Sequence, residues 1–365
     1  MTFPPSRTRS LSRTLLAPSE YEGSPTRGYL DTATYGLPPR ATVAAVEQTL
    51  ASWQGRGSWL DWEQDGEACR ELFAQIVGAQ PEDIAYVAAA SVAAGIVAAS
   101  LPAEAGANIV LYERDFDSVL FPWRPLAERG VEVRTLPLER LAEGIDERTA
   151  LVAVSLVQSS DGRTPDLAAI KAAGTRLFLD GTQAVGSIPV SLEGVDYLVA
   201  HSYKWLLSPR GLCFFYVRPE RLPEITPWLA GWKSRSDPFE DYYGAPQLAS
   251  DAHRLDVSIP WFSAPGARAS LELIAALGPE AIGEHNLALA RAFASELGLA
   301  EPASPILRVP VEDAEAAVER LKRAGVACSA RSGSIRFAFH LYNDEEDVGL
   351  ALEALRPAAA VRSDA

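Results

Sequence analysis

Between residues 83 and 217 the sequence alternates short apolar runs with segments of helical periodicity, and this alternation limits the fold more than any other feature. Several of the runs are continuously apolar, which is typical of strands buried on both faces of a parallel sheet. The pattern predicts an α/β protein whose helices cover both sides of a mostly parallel sheet. The runs are DIAYVAA, NIVLYE, VEVRTLP, ALVAVSLV, RLFLD, VDYLVA and CFFYV.

Changes in this pattern predict how the chain is divided. Residues 1–28 form an arm whose only apolar piece, LLAP, is too short for a secretion signal or a membrane span. Residues 29–260 form the large domain, and residues 261–298 form long connecting helices, with one helical segment from about 264 to 297. Residues 299–365 form a small α+β domain with the order strand, helix, strand, strand, helix.

Composition narrows the class of function. The net charge of −15 argues against nucleic acid and anionic membranes as partners, because a field of that sign repels phosphate. The cysteines, Cys69, Cys213 and Cys328, are odd in number and far apart, so neither a disulfide framework nor a metal site is expected. We expect a cytoplasmic enzyme that acts on a small molecule.

Two strand ends carry charged residues that suit one cofactor. Asp180 ends the run RLFLD, and Lys204 follows the run VDYLVA within HSYKWL. In open α/β sheets, ligands bind at the carboxyl ends of the strands. There a lysine can form a Schiff base with pyridoxal phosphate, while a carboxylate keeps the pyridine nitrogen protonated. By residue type alone, Lys204 can also be a lysine that extends to solvent, and Asp180 a helix N-cap.

A longer stretch carries a family resemblance. The segment LFLDGTQAVGSIPVSLEGVDYLVAHSYKWLLSPRGLCFFYV resembles the lysine region of the class V aminotransferase and cysteine desulfurase family. The resemblance extends from YLDTATYGLPP to SIRFAFHLYNDEEDV, nearly the whole chain. It implies a fold-type I pyridoxal-phosphate enzyme, with a sheet of the seven-stranded type and a small C-terminal domain. It also implies a homodimer with active sites at the subunit interface.

The resemblance also implies roles for individual residues. Lys204 is the expected catalytic residue, Phe116 stacks on the ring, and Ser258 reaches the phosphate of the neighbouring subunit. Where the family usually has glutamate after Ser91, this chain has Val92. By type alone, Ser91 also suits an ordinary N-cap, and Phe116 suits a core position. The full cofactor-binding set is Ala90, Ser91, Phe116, Gln158, Asp180, Gln183, His201, Tyr203, Lys204 and Ser258.

The substrate implied by the resemblance is an amino acid. Arg336 matches the residue that binds its α-carboxylate, and a guanidinium can hold both carboxylate oxygens at once. Tyr35 is expected nearby. By type alone, Arg336 also suits the surface of an edge strand.

Fold and lysine do not by themselves choose a reaction. We expect amino transfer, with a C–S or β-lyase or an epimerase as the alternatives. A cysteine desulfurase using Cys328 is less favoured, because SARSGSI, between Cys328 and Arg336, is typical of a tight hairpin and not of a long mobile loop. A non-catalytic protein that binds the cofactor is the remaining alternative.

Overall fold

The computed structural model describes residues 15–16, 18–21, 26–240, 242–245 and 247–356. Most of the expected arm at 1–28, and the chain end at 357–365, lie outside these residues. The helices are α1 (Arg40–Gln54), α2 (Trp59–Val77), α3 (Ala90–Ser100), α4 (Asp117–Leu120), α5 (Leu167–Ala172), α6 (Ala264–Leu277), α7 (Pro279–Glu296), α8 (Ala314–Arg323) and α9 (Glu345–Leu355).

The strands follow the predicted apolar runs. They are β1 (Ile84–Val87), β2 (Asn108–Tyr112), β3 (Glu132–Leu136), β4 (Thr149–Ser155), β5 (Arg176–Asp180), β6 (Tyr197–His201), β7 (Cys213–Val217), β8 (Ile306–Pro310), β9 (Ser329–Arg331) and β10 (Ser334–Ala338). Short 3-10 helices lie at Pro18–Tyr21, Pro81–Asp83, Phe121–Arg129, Leu138–Gly144, Pro219–Glu224, Trp232–Ser234 and Ala252–Leu255.

Seven of the described strands form one sheet in the order β1-β7-β6-β5-β4-β2-β3. Strand β7 runs antiparallel to both of its neighbours, and the other pairings are parallel. Apart from the edge strand β3, these strands are largely buried, because apolar clusters cover both faces of the sheet. This confirms the predicted α/β fold with a mostly parallel sheet.

The register of the sheet places several polar residues at one edge. Ser155 of β4 pairs with Asp180 of β5, and His201 ends β6 beside them. Because these strands are parallel, their carboxyl ends lie together, and the loop from β1 into α3 opens at the same edge.

The small sheet has the order β8-β10-β9 and is antiparallel. Its elements occur in the predicted order of strand, helix, strand, strand, helix. Tyr29 and Asp31 form isolated bridges with Ala327 and Ala338, so the segment that begins the large domain also contacts the small sheet. The proposed domain boundaries stay predictions.

The connecting region differs from the single helical segment expected at about 264 to 297. Helix α6 ends at Leu277 and α7 begins at Pro279, so the helix is broken at Gly278. Gly278 has φ of 81°, a conformation outside the helical range that glycine adopts readily, and proline at the next position suits a new first turn. Among the described residues, we find no helix with the length and apolarity that a membrane crossing requires.

Candidate active site

A cavity of about 410 Å³ lies at the carboxyl edge of the large sheet. It is bounded by the loop before α3, the ends of β4, β5 and β6, and the loop after β6. The structure brings most of the predicted cofactor-binding residues to its wall. These are Ala90, Ser91, Phe116, Asp180, Gln183, His201, Tyr203 and Lys204.

Lys204 follows β6 and its amine faces aromatic rings. Its Nζ lies 5.9 Å from the ring centroid of Phe116 and 5.8 Å from that of Tyr203. Burial lowers the pKa of this amine to about 8, although the negative charge of Asp180 acts in the opposite direction. A larger fraction of Lys204 is therefore neutral near physiological pH than for an exposed lysine, which suits a nucleophilic amine.

Asp180 ends β5 and is buried. Its Oδ1 accepts a hydrogen bond of 2.8 Å from the backbone N–H of Thr182, which helps to orient the carboxylate at the sheet edge. The positions of Asp180 and Lys204 on the cavity wall suit a protonated pyridine nitrogen beside the first and a reactive aldehyde beside the second.

The amino end of α3 forms one side of the cavity. Its N-cap, Ala89, has no side chain that can cap the helix, and the backbone N–H of Ala90 donates to Nε2 of His201 at 3.3 Å. Burial lowers the pKa of this imidazole to about 4, so His201 is neutral at pH 7 and accepts this bond. A helix start of this kind, with Ser91 in its first turn, favours an anion such as a phosphate.

The two predicted glutamines are placed differently. Gln183 lines the cavity, where its Oε1 accepts from Trp205 Nε1 at 2.8 Å and its Nε2 donates to the carbonyl of Ala33 at 3.0 Å. Gln158 is turned away from the cavity wall and donates to Asp115 at 3.2 Å. The neighbouring Ser159 lines the wall in its place.

Arg336 lies on β10, behind the cavity wall. Its Nη1 donates to the carbonyl of Ser159 at 2.8 Å, and its Nη2 donates to Asp31 Oδ1 at 3.0 Å and to Thr34 Oγ1 at 2.6 Å. Its Nε is buried and has no hydrogen-bond partner among the described residues. Tyr35 is half exposed, next to this group in sequence. The carboxylate-binding role of Arg336 stays a prediction, and Asp31 is an acid that this prediction had not included.

Ser258 does not line this cavity. Its hydroxyl accepts a hydrogen bond of 2.8 Å from Trp232 Nε1, in a separate aromatic hollow with Trp59, Tyr242 and Trp261. Its expected contact with a neighbouring subunit stays a prediction.

Sequence reasoning missed several polar residues of the wall, Ser118, Ser155, Thr182 and Arg210 among them. Thr182 and Arg210 had a signal in the sequence, because Thr182 follows a strand end by two residues and Arg210 lies between Pro209 and Gly211 in the segment that carries the family resemblance. Among the described residues, no group of histidines, cysteines and carboxylates could hold a metal ion.

Cys328 packs against the apolar core of the small domain, and burial raises the pKa of its thiol to about 12. Strands β9 and β10 are joined by Ser332 and Gly333 alone. The segment after Cys328 is therefore a tight hairpin, as its sequence predicted.

Comparisons with known proteins agree with this geometry. The family model of class-V aminotransferases matches residues 28–350. The uncharacterized aminotransferase YcbU of Bacillus subtilis is 31% identical over 319 residues, covering 82% of this chain and 85% of YcbU. The isopenicillin N epimerase of Streptomyces clavuligerus is 28% identical, covering 78% of this chain and 82% of the epimerase. A cysteine desulfurase of Serratia proteamaculans is 29% identical, covering 79% and 76%.

Solved structures give the same fold. The complex of the cystine C-S lyase C-DES with its product, cysteine persulfide, matches with a TM-score of 0.82 at 22% identity, covering 92% of this chain and 99% of C-DES. The parallel sheet, the small C-terminal sheet and the cavity at the sheet edge define a fold-type I enzyme scaffold. The chain belongs to the class-V aminotransferase family. Pyridoxal phosphate, the predicted cofactor, is the cofactor of this family. The amine of Lys204, the carboxylate of Asp180 and the amino end of α3, all at the cavity, suit this cofactor.

Proposed function

We propose that the protein is a pyridoxal-phosphate-dependent enzyme that acts on an amino acid through Lys204, and that its reaction is amino transfer. The observation that carries the proposal is the amine of Lys204 in the cavity, with its pKa lowered to about 8. The aminotransferase relative at 31% identity supports amino transfer. When bound, the cofactor supplies an electron-withdrawing ring that stabilises negative charge on the α-carbon of the substrate.

The residues of the chain divide the work. Lys204 would hold the cofactor covalently and, once released, move a proton at the α-carbon of the substrate. Asp180 would keep the proton on the ring nitrogen, and the amino end of α3 would hold the phosphate. Phe116, half exposed in the wall, would pack against the ring and exclude water from one side.

Arg336 is the proposed partner of the substrate's α-carboxylate. Its Nε has no partner among the described residues, which supports this role. If an incoming carboxylate took the place of Asp31, the guanidinium would still have an unused donor for it. Tyr35 is half exposed and follows Thr34, a hydrogen-bond partner of Arg336, and is proposed to contact the substrate.

We also propose that two copies of the chain form a homodimer in the cytoplasm. Exposed aromatic residues of α1 and of the loop after Ser258 lie together with the half-buried Trp59 of α2. Trp53 is 4.9 Å from Phe262 and Trp59 is 5.7 Å from Trp261, measured between ring centroids. An apolar surface of this kind is typical of a subunit interface. The three free cysteines support a reducing compartment.

The sequence and the structure support the alternative reactions to different degrees. The relative named as an epimerase keeps epimerisation open, and a C–S or β-lyase needs no further residue at the cavity. A desulfurase using Cys328 is less supported, because this partly buried thiol packs against the apolar cluster at the small sheet and is protonated at neutral pH.

Borohydride reduction tests the first part of the proposal. After incubation with pyridoxal phosphate, reduction should leave a mass adduct on the peptide that contains Lys204 and none in Lys204→Ala. Absence of this adduct in the wild-type protein would refute the proposed function. An adduct without turnover of any amino acid would contradict the proposed enzymatic activity and would support a non-catalytic protein that binds the cofactor.

A panel of amino acids with a keto-acid acceptor tests the reaction. A new keto acid supports amino transfer. Ammonia with pyruvate indicates β-elimination, inversion at the α-carbon indicates an epimerase, and alanine with a persulfide indicates a desulfurase; each of these three would contradict amino transfer.

A further inference from the structure

Arg210 lies on the cavity wall at the end formed by the loop after β6. The centre of its guanidinium is 5.1 Å from the ring centroid of Tyr203. Stacking on an aromatic ring restricts an arginine side chain and leaves the donors at its edge available. Arg210 is therefore a cation held at the cavity, although its side chain is exposed to solvent.

The backbone around Arg210 is also held in place. Its carbonyl accepts a hydrogen bond of 2.9 Å from Ser263 Oγ. The next residue, Gly211, has φ of 144°, and a Cβ there would lie 2.8 Å from Cγ of Pro260. A larger residue at position 211 would displace this turn. The turn therefore fixes the position of the Arg210 backbone.

The charge of Arg210 is not balanced by a carboxylate. Within the part of the chain that the structure describes, its guanidinium has no hydrogen bond and no ion pair, and its recorded contact is the Tyr203 ring. The acid on the cavity wall, Asp180, already accepts from the Thr182 N–H. An arginine without an acid partner at a cavity attracts an anionic group.

Other groups at this end of the cavity are neutral. His201 has a pKa of about 4 and accepts from the Ala90 N–H. Burial raises the pKa of Tyr203, so its hydroxyl stays protonated. Lys204 would be used to attach the aldehyde of the cofactor and not its phosphate. Among the residues that line the cavity, Arg210 is then the cation left for a phosphate dianion at the start of α3.

We infer that Arg210 binds the phosphate of pyridoxal phosphate, together with the backbone N–H groups at the amino end of α3. The inference rests on the proposed function and deepens it by assigning a phosphate ligand that the family resemblance does not include. A guanidinium suits the task because its paired N–H donors match two phosphate oxygens. The same chemistry would suit a distal acid on the substrate, and the experiment separates the two.

The test compares two vitamers that differ only in the phosphate. Dissociation constants for pyridoxal phosphate and for pyridoxal are measured by absorbance with wild-type protein, Arg210→Ala, Arg210→Lys and Arg124→Ala. Arg124 is a matched control, an exposed arginine 4.5 Å from the Phe121 ring centroid and outside the cavity wall. Circular dichroism melts report whether each variant is folded.

Arg210→Ala should raise the Kd for pyridoxal phosphate by about ten- to a hundredfold, the range for a lost charge-assisted bond, and leave the Kd for pyridoxal unchanged. Arg210→Lys should recover part of the loss, and Arg124→Ala should change neither constant.

Three results would overturn the inference. An unchanged Kd for pyridoxal phosphate in Arg210→Ala would show that Arg210 does not bind the phosphate. If amino-acid binding alone weakened in this variant, Arg210 would instead bind an acid on the substrate. Equal weakening for both vitamers would mean that Arg210 supports the ring or the fold. Absence of a Lys204 adduct in the wild type would refute the proposed function itself, which separates that failure from the first two.

Discussion

At the scale of single residues, the pKa of Lys204 results from two opposed effects. Burial lowers the pKa, and the nearby carboxylate of Asp180 raises it, with a result of about 8. The neutral amine is the reactive form, so reactivity rises with pH through this value and then levels off. The reactivity of a lysine in water would be half-maximal only near its pKa of about 10.4, more than two pH units higher.

The first prediction concerns this midpoint. In the cofactor-free protein, labelling of Lys204 by an amine reagent should reach half its maximal rate near pH 8. Asp180→Asn should move the midpoint to lower pH, because it removes the charge that favours the ammonium form. Mass spectrometry of the Lys204 peptide measures the rate, and exposed Lys322 gives the internal comparison. A midpoint that stays fixed or rises in Asp180→Asn would contradict this account.

The second prediction concerns the thiol of Cys328. Its pKa of about 12 means that little thiolate exists at pH 8, so iodoacetamide should label it slowly in the folded protein and quickly in urea. Cys328→Ser should keep its activity, measured as turnover of the best amino acid in the panel. Complete loss of turnover with unchanged cofactor binding would contradict this prediction and favour a desulfurase reaction that uses Cys328.

At the scale of elements, a buried ion pair joins α2 to the edge strand β1. Arg70 of α2 and Asp256 are both buried, with Arg70 Nη2 2.6 Å from Asp256 Oδ2. Asp256 Oδ1 also accepts from the backbone N–H of Tyr86 in β1 at 2.7 Å. The pair thus connects three segments that are distant in the sequence.

The third prediction follows from this ion pair. Asp256→Ala should lower the free energy of unfolding by about 3–5 kcal/mol, because it removes the buried acid of the pair and leaves the Arg70 guanidinium with Glu67, a partly exposed acid. The double variant with Arg70→Met should recover part of this loss. Urea denaturation measures both changes. A loss below about 1 kcal/mol for the single variant, as for an exposed pair, would show that the site is solvated in solution.

Most of the elements could be predicted because their signals are local. Continuous apolar runs marked the strands of the large sheet, and Asp180 and Lys204 were found because charged residues directly follow two such runs. The break at Gly278 was missed, since the apolar periodicity continues on both sides of it. Asp31 was missed for a different reason. Its ion pair joins residues 305 positions apart, and no spacing rule relates them.

At the scale of the whole molecule, the aromatic face around α1, α2 and Trp261 is too apolar to favour contact with water. Trp53 is 60% exposed and Phe262 beside it is 38% exposed, in a chain whose net charge of −15 would otherwise keep copies apart. Burial of this face in the proposed homodimer would remove it from solvent.

The fourth prediction tests this assembly. Light scattering should give twice the chain mass of 39.2 kDa for the wild type. Phe262→Glu should shift the protein toward the monomer, because it places a charge within the aromatic face. Ala316→Glu, on the exposed side of α8, is the matched control and should leave the dimer intact. A wild-type monomer, or a Phe262→Glu dimer as stable as the control, would contradict the proposed interface.

The Asp31–Arg336 ion pair has a consequence for selectivity among amino acids. Because Arg336 already holds an acid from its own chain, an incoming α-carboxylate would exchange with Asp31 instead of meeting a vacant cation. The contribution of the α-carboxylate to the binding free energy would then be only the difference between two similar acids. This small contribution would be the same for every amino acid. Discrimination would fall to the groups that meet the side chain. Asp31 also bridges Ala338, so this exchange would be transmitted to the packing of the small sheet.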